Sequence, residues 1–167
     1  YYFGRGFTRS FIDALPKEWR GGDVKFYSRV HFLKPGFIPA FPGWHLDGMD
    51  LDNPMEKVDS IIGLVNADIC PTEFVVGDFV LPKLEVGEYV YRKWWPELDS
   101  RIQKGILEKK LISDRKLIRF NNETIHRAGI TNKSGWRWMG FVTFIKNHEQ
   151  INHIYTRTNA YLSIPMK

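Results

Sequence analysis

Cysteine is nearly absent: Cys70 is the one thiol in 167 residues. No disulfide can therefore close within the chain, and no thiolate cluster can hold a metal. Beside Pro71 this residue reads as a small buried hydrophobe, and its isolation suits a reducing cytoplasm. Long apolar runs are missing too. None approaches the roughly 20 residues of a membrane span, so a soluble chain is expected. The opening residues, Tyr1-Tyr2-Phe3-Gly4-Arg5-Gly6, carry neither an initiator Met nor a signal-peptide pattern, which indicates a trimmed chain. Negative charge is in the minority, with 19 Asp+Glu against 24 Lys+Arg, a net charge of +5 and a pI near 9.3. Such a balance draws in anionic substrates or co-substrates, nucleic acid among them.

What is present is apolar enough to fold. A hydrophobic content of 43% with 15% aromatic residues excludes a disordered chain. The length supports one full core and is short for two, so residues 1–167 are read as a single domain. Phe11, Leu15 and Trp19 recur every four residues, which predicts an amphipathic helix over Thr8 to Trp19, packed against a sheet. Val24 to Phe32 alternates as a half-buried strand, with Lys25, Tyr27, Arg29 and His31 on one face, and Lys34-Pro35-Gly36 ends it. Met49 to Lys57 reads as a solvated acidic loop without calcium-loop spacing.

Asp59 to Ala67 is β-branched and apolar, the pattern of a buried strand. Asn66 at its end either forms the turn or faces a co-substrate. Gly77-Asp78 between two apolar triplets predicts a hairpin over Glu73 to Leu81. From Glu88 to Lys110 the period changes to four, through Val90, Trp94, Leu98, Ile102 and Ile106, with Pro96 suited to a helix's first turn. The basic residues from Arg101 to Arg119 read as a solvated face, with nucleic-acid contact as the lesser alternative. Lys116 to Phe120, Thr124 to Ala128 and Trp136 to Lys146 are strands, the last apolar on both faces and so central. Ile151 to Ile164 adds one or two short strands. About eight strands and two helices with hairpin-like spacing describe a mainly β sandwich or barrel.

The chemistry concentrates in Pro42-Gly43-Trp44-His45-Leu46-Asp47-Gly48. In extended backbone His45 and Asp47 point to the same side, so an imidazole and a carboxylate can close on one ion. A third ligand is offered by His126 in Thr124-Ile125-His126-Arg127-Ala128. Eleven residues later Arg137 lies within the central strand, where an inward cation needs either a bound anion or a neighbouring Asp or Glu. His31, His148 and His153 lack a carboxylate two residues on and read as ordinary structural histidines. Trp44 either walls the site or belongs to the core.

Two histidines and a carboxylate that leave positions open on the metal form the facial triad of non-heme Fe(II) oxygenases. The order His-x-Asp, distal His, then Arg on the next strand resembles the Fe(II)/2-oxoglutarate-dependent dioxygenases, from about Val24 to about Lys146. The resemblance implies a double-stranded β-helix, or jelly roll (cupin-like), with one or two flanking helices and the metal at its open mouth. It implies Fe(II) on His45, Asp47 and His126, with 2-oxoglutarate as co-substrate. The distal carboxylate would lie on Arg137 rather than on Arg127, which points the opposite way from His126. Many relatives carry Ser two residues after this Arg, whereas here Met139 occupies the position, leaving Thr143, Tyr27 or Ser28 to supply a hydroxyl. The implied reaction hydroxylates a substrate with O₂ and releases succinate and CO₂. A small molecule entering past Trp44, Tyr27 and Arg29 is favoured over nucleic acid. A metal-binding jelly-roll module without turnover and a basic nucleic-acid-binding domain whose histidines are incidental are the other readings.

Overall fold

The computed structural model describes residues 5–20, 24–47, 58–83, 85, 90–144 and 162–163. In chain order its elements are helix Arg5–Asp13 (α1), a 3-10 turn Lys17–Trp19, strands Val24–Leu33 (β1), Phe37–Ile38 (β2), Asp59–Val65 (β3) and Thr72–Val76 (β4), and helix Val90–Gln103 (α2). Strands Glu108–Leu111 (β5), Leu117–Asn121 (β6), His126–Ala128 (β7), Gly135–Phe144 (β8) and Leu162–Ser163 (β9) follow.

The central strand expected from its two apolar faces is β8. It is flanked antiparallel by β1 and β3, with His31 opposite Arg137 and Ile62 opposite Phe141. Strand β6 completes this sheet in the order β1-β8-β3-β6, and a second sheet runs β5-β4-β7. His45 adds itself beside β7 through an isolated antiparallel bridge to His126. The chain thus passes repeatedly from one sheet to the other. That interleaving, with every pairing antiparallel, makes the described residues a mainly β jelly roll, the double-stranded β-helix. A small pairing of β2 with β9 stands apart.

Strand alternation assigns the layers. Ile62 and Leu64 of β3, Phe120 of β6 and Phe141 of β8 meet Phe74 of β4 between the sheets. On the outer side of the larger sheet, Ile61, Val65, Trp138 and Val142 receive Phe11, Leu15 and Trp19. On the outer side of the smaller one, Val75 and Ile125 receive Trp94 and Leu98 of α2, with Trp44. Helix, sheet, sheet and helix therefore stack in four layers. No helix among the described residues is long and apolar enough to cross a membrane.

Several expectations are corrected. The first helix ends at Asp13 rather than Trp19, because Pro16 cannot donate within a helix and disfavours helical backbone before it; the 3-10 turn still buries Trp19. The hairpin at Gly77-Asp78 does not form, since β4 already has β5 on one edge and β7 on the other. Pro96 lies within α2, not in its first turn. The second helix stops at Gln103, where Gly105 adopts φ 71°, so Leu107 rather than Ile106 is buried. Lys109 and Lys110 consequently sit on β5, not on a helix. The acidic loop over 49–57 and nearly all of 151–164 lie outside the described residues.

Phe11 is the knob of the first helix, touching Phe26 and Trp138 at ring separations of 5.5 and 5.8 Å. Phe11→Ala should lower the unfolding free energy by about 3–5 kcal/mol, measured by urea denaturation. An equivalent change at Phe7, 44% exposed, should cost far less.

Candidate metal centre

His45 and His126 face each other across the end of the smaller sheet. His45 N donates to His126 O at 3.0 Å and His126 N to His45 O at 3.1 Å. Directly opposed residues in such a pair project to one side of the sheet, and the two imidazole centroids lie 4.5 Å apart. Asp47, two residues on, brings its carboxylate to 3.6 Å from His126 Nε2. One ligand atom from each of the three residues lies within 4.8 Å of the others. The three residues singled out in the sequence are thus brought together.

The rings are already oriented. His45 Nδ1 is 2.7 Å from Gly43 O and His126 Nδ1 is 3.0 Å from Thr124 O. A carbonyl only accepts, so each ring donates from Nδ1 and turns its Nε2 lone pair inward, the state a metal-binding histidine needs. Burial, then the neighbouring His126, keeps the His45 pKa below its ordinary value, against the raising pulls of Gly43 and Asp47. The ring is therefore neutral at neutral pH. Phe74 stacks on His126 at 5.7 Å, and Phe120 meets it edge-on at 5.1 Å. These rings form an apolar wall beside the nitrogen and oxygen donors.

Arg137 enters from the opposite sheet. It is 2% exposed, and its Nη2 reaches Thr72 Oγ1 on β4 at 3.4 Å, so the guanidinium spans the interior. Burial lowers its pKa, yet an arginine remains a cation. No carboxylate pairs with it among the described residues, and its Nε has no acceptor there. The structural alternative for this residue, an Asp or Glu on a neighbouring strand, is not realised among the described residues. Thr72 precedes Phe74, the register partner of His126, by two residues, or roughly 7 Å of strand.

Among the described residues, the hydroxyl that Arg137 reaches is that of Thr72, which was not among the three expected. Thr143 is engaged with Ser60 Oγ at 3.3 Å, Tyr27 pairs with Phe141 further along, and Ser28 lies opposite Gly140 on the outer face. Nothing local in the sequence marks Thr72, because its position follows from pairing β4 with β7, more than 50 residues later. His31, read as structural, also reaches this interior. It is buried opposite Arg137, and its pKa is lowered by burial, then by the charges of Arg137 and Arg29. Asn66 forms the turn with φ 61° and donates to Trp136 O.

Behind the His45, Asp47 and His126 side chains, Trp44 and Arg127 point away from the site as neighbours of opposed residues must. Trp44 is fully buried and belongs to the core, not the mouth. The Arg127 guanidinium lies 4.0 Å over the Trp44 ring and bonds Glu73 Oε2 at 2.7 Å and Asp99 Oδ1 at 3.2 Å. Asp99 also accepts from Trp44 Nε1 at 2.9 Å. Gly43 lies so close to the Trp95 indole that an added Cβ would fall 1.3 Å from a ring carbon. Glycine is required there.

No family model matches the chain, and no curated protein matches it. Among solved structures it is similar to EvdO2 from Micromonospora carbonacea var. aurantiaca, in a crystal structure of that protein complexed with 2-oxoglutarate. The identity is 16% and the TM-score 0.44, over 91% of this chain and 62% of that one. The chain thus spans less than two thirds of that protein's length.

Glu73 links the back of the site to β5 through Lys109 at 2.9 Å and to β7 through Arg127. Burial raises its pKa, but the hydrogen bonds from both cations together hold it below the ordinary glutamate value. Its stabilisation is therefore complete above the unfolded glutamate pKa of about 4.3 and is lost as pH falls through the lower folded value. Glu73→Gln should cost about 1–3 kcal/mol at pH 7 and flatten that acid limb. Urea melts from pH 7 to 3 measure both.

Proposed function

We propose that this chain is an Fe(II)- and 2-oxoglutarate-dependent oxygenase that hydroxylates a small molecule. The observation that carries the reading is Arg137: a buried cation without a carboxylate partner among the described residues, on the wall facing two imidazoles and a carboxylate. A buried charge is costly unless paired, and a dicarboxylate that chelates a metal with one end would supply the missing anion with the other.

The residues present fit both groups. His45 and His126 offer inward Nε2 lone pairs and Asp47 a hard oxygen, a donor set suited to Fe(II) that leaves room for further ligands. Arg137 presents a planar fork that matches a carboxylate, and Thr72 adds a hydroxyl. When bound, the ferrous ion would activate O₂ at the expense of 2-oxoglutarate, which leaves as succinate and CO₂ while one oxygen atom passes to the substrate. The chain's own part is to orient. Gly43 and Thr124 carbonyls hold the rings, Arg137 and Thr72 hold the distal carboxylate, and Phe74, Phe120 and Phe141 keep water from one side.

A small-molecule substrate is supported by how the basic run is used. Arg101 pairs with Glu97, Lys109 with Glu73, Arg115 with Asp114 and Arg119 with Asp59. These charges are engaged with carboxylates of the chain itself. Ferrous chemistry and a free Cys70 both accord with a reducing cytoplasm.

Anaerobic titration with Fe(II) and 2-oxoglutarate, then exposure to oxygen with succinate measured, tests the reading. One ion should bind per chain, His126→Ala should abolish tight binding while the fold persists, and Arg137→Ala should weaken 2-oxoglutarate roughly 10- to 100-fold. Metal uptake without 2-oxoglutarate binding or succinate would instead leave a metal-binding jelly-roll module. Activity should be indifferent to added DNA or RNA.

A further inference from the structure

The strand at the edge of the larger sheet turns two unlike faces to its surroundings. Val24, Phe26 and Val30 of β1 pack toward the first helix, so Tyr27, Arg29 and His31 look into the interior. Tyr27 stacks on Phe141 at 5.0 Å with an interplanar angle of 22°, continuing the aromatic wall beside His126. It remains 38% exposed, so this part of the wall opens to solvent. Arg29 is half-buried, and its guanidinium sits 5.4 Å over the Tyr27 ring.

Arg29 is unusual among the arginines whose side chains are described. Arg9, Arg101, Arg115, Arg119 and Arg127 each pair with a carboxylate, and Arg20 donates to backbone carbonyls. Arg29 and Arg137 alone have no anionic or carbonyl acceptor among the described residues. They are not equivalent, however. Arg29 lies opposite Met139, one pleat from Arg137 and one from Phe141, and so stands toward the open side while Arg137 is fully enclosed.

We propose that Arg29 receives a carboxylate of the substrate, with the Tyr27 ring against the adjoining flat or apolar part. The inference rests on the oxygenase reading and narrows its substrate class. In that reading the two charges of the ferrous ion and the one of Arg137 are balanced by Asp47 and the dianion 2-oxoglutarate, which leaves Arg29 as one uncompensated cation. A guanidinium fork accepts carboxylate or phosphate in two-point geometry. One residual charge matches a carboxylate, whereas a phosphate monoester would bring a second negative charge toward Asp47.

The test is calorimetric titration of the Fe(II)- and 2-oxoglutarate-loaded chain, without oxygen, with 3-phenylpropionate, 3-phenylpropionamide and phenyl phosphate. The acid should bind at least tenfold more tightly than the amide and more tightly than the phosphate. Arg29→Gln should erase the preference for acid over amide while leaving metal and 2-oxoglutarate affinities within twofold, and Tyr27→Ala should weaken acid and amide alike. Equal binding of acid and amide, no measurable binding of the acid, a preference for the phosphate, or an unchanged preference in Arg29→Gln would each overturn the proposal. Loss of 2-oxoglutarate binding in Arg29→Gln would place this residue in the co-substrate pocket and overturn it as well. A wild-type chain that takes up no Fe(II) or no 2-oxoglutarate fails at the loading step, before any probe is added, and that result refutes the oxygenase reading itself.

Discussion

Two backbone hydrogen bonds between His45 and His126 govern the geometry of the whole site. Because they join directly opposed residues, they fix both the spacing of the imidazoles and the side of the sheet on which they stand. A slip of one residue in the His45 segment would turn that ring into the core beneath the second helix and bring Trp44 inward, while His126 stayed in place on β7. The bridge is one residue long, too short to enforce its own register. What enforces it lies on the other face.

There, Arg127 is held by Glu73 in the next strand, by Asp99 in the helix and by the Trp44 ring, while Trp95 Nε1 donates to Trp44 O at 2.7 Å. A helix that contributes no side chain to the candidate metal centre therefore anchors the segment that carries two of its three residues. Charged groups are expensive to desolvate, and their pairing offsets that cost without large net stability. Their contribution is register: only one alignment of His45 against His126 lets Trp44, Arg127, Glu73 and Asp99 all find partners.

The parts of this arrangement legible in the sequence are those carried by local pattern. His45 and Asp47 announce themselves by their spacing, Arg137 by its place in an apolar strand, and the outward direction of Arg127 by alternation from His126. Phe11, Leu15 and Trp19 mark the buried stripe correctly even though Pro16 divides the element that carries them. What escaped was decided at a distance. Gly77-Asp78 has hairpin chemistry, but the flanking strand found better partners in β5 and β7. Thr72 acquires its neighbour Arg137 only when two sheets close on each other, and the same closure converts His31 from a routine strand residue into part of the interior.

Strand β5 illustrates how position changes the meaning of a motif. Its four residues, Glu-Lys-Lys-Leu, are all exposed, and it is the outermost strand of its sheet among the described residues. An open edge offers unpaired amides and carbonyls to any passing strand, and lysines there discourage such additions. Lys109 and Lys110, which in the linear sequence look like a surface for binding polyanions, stand as guards against self-association. Neutralising Lys110 would threaten the solubility of the protein at high concentration, whereas Lys109 also holds Glu73 at the back of the candidate site.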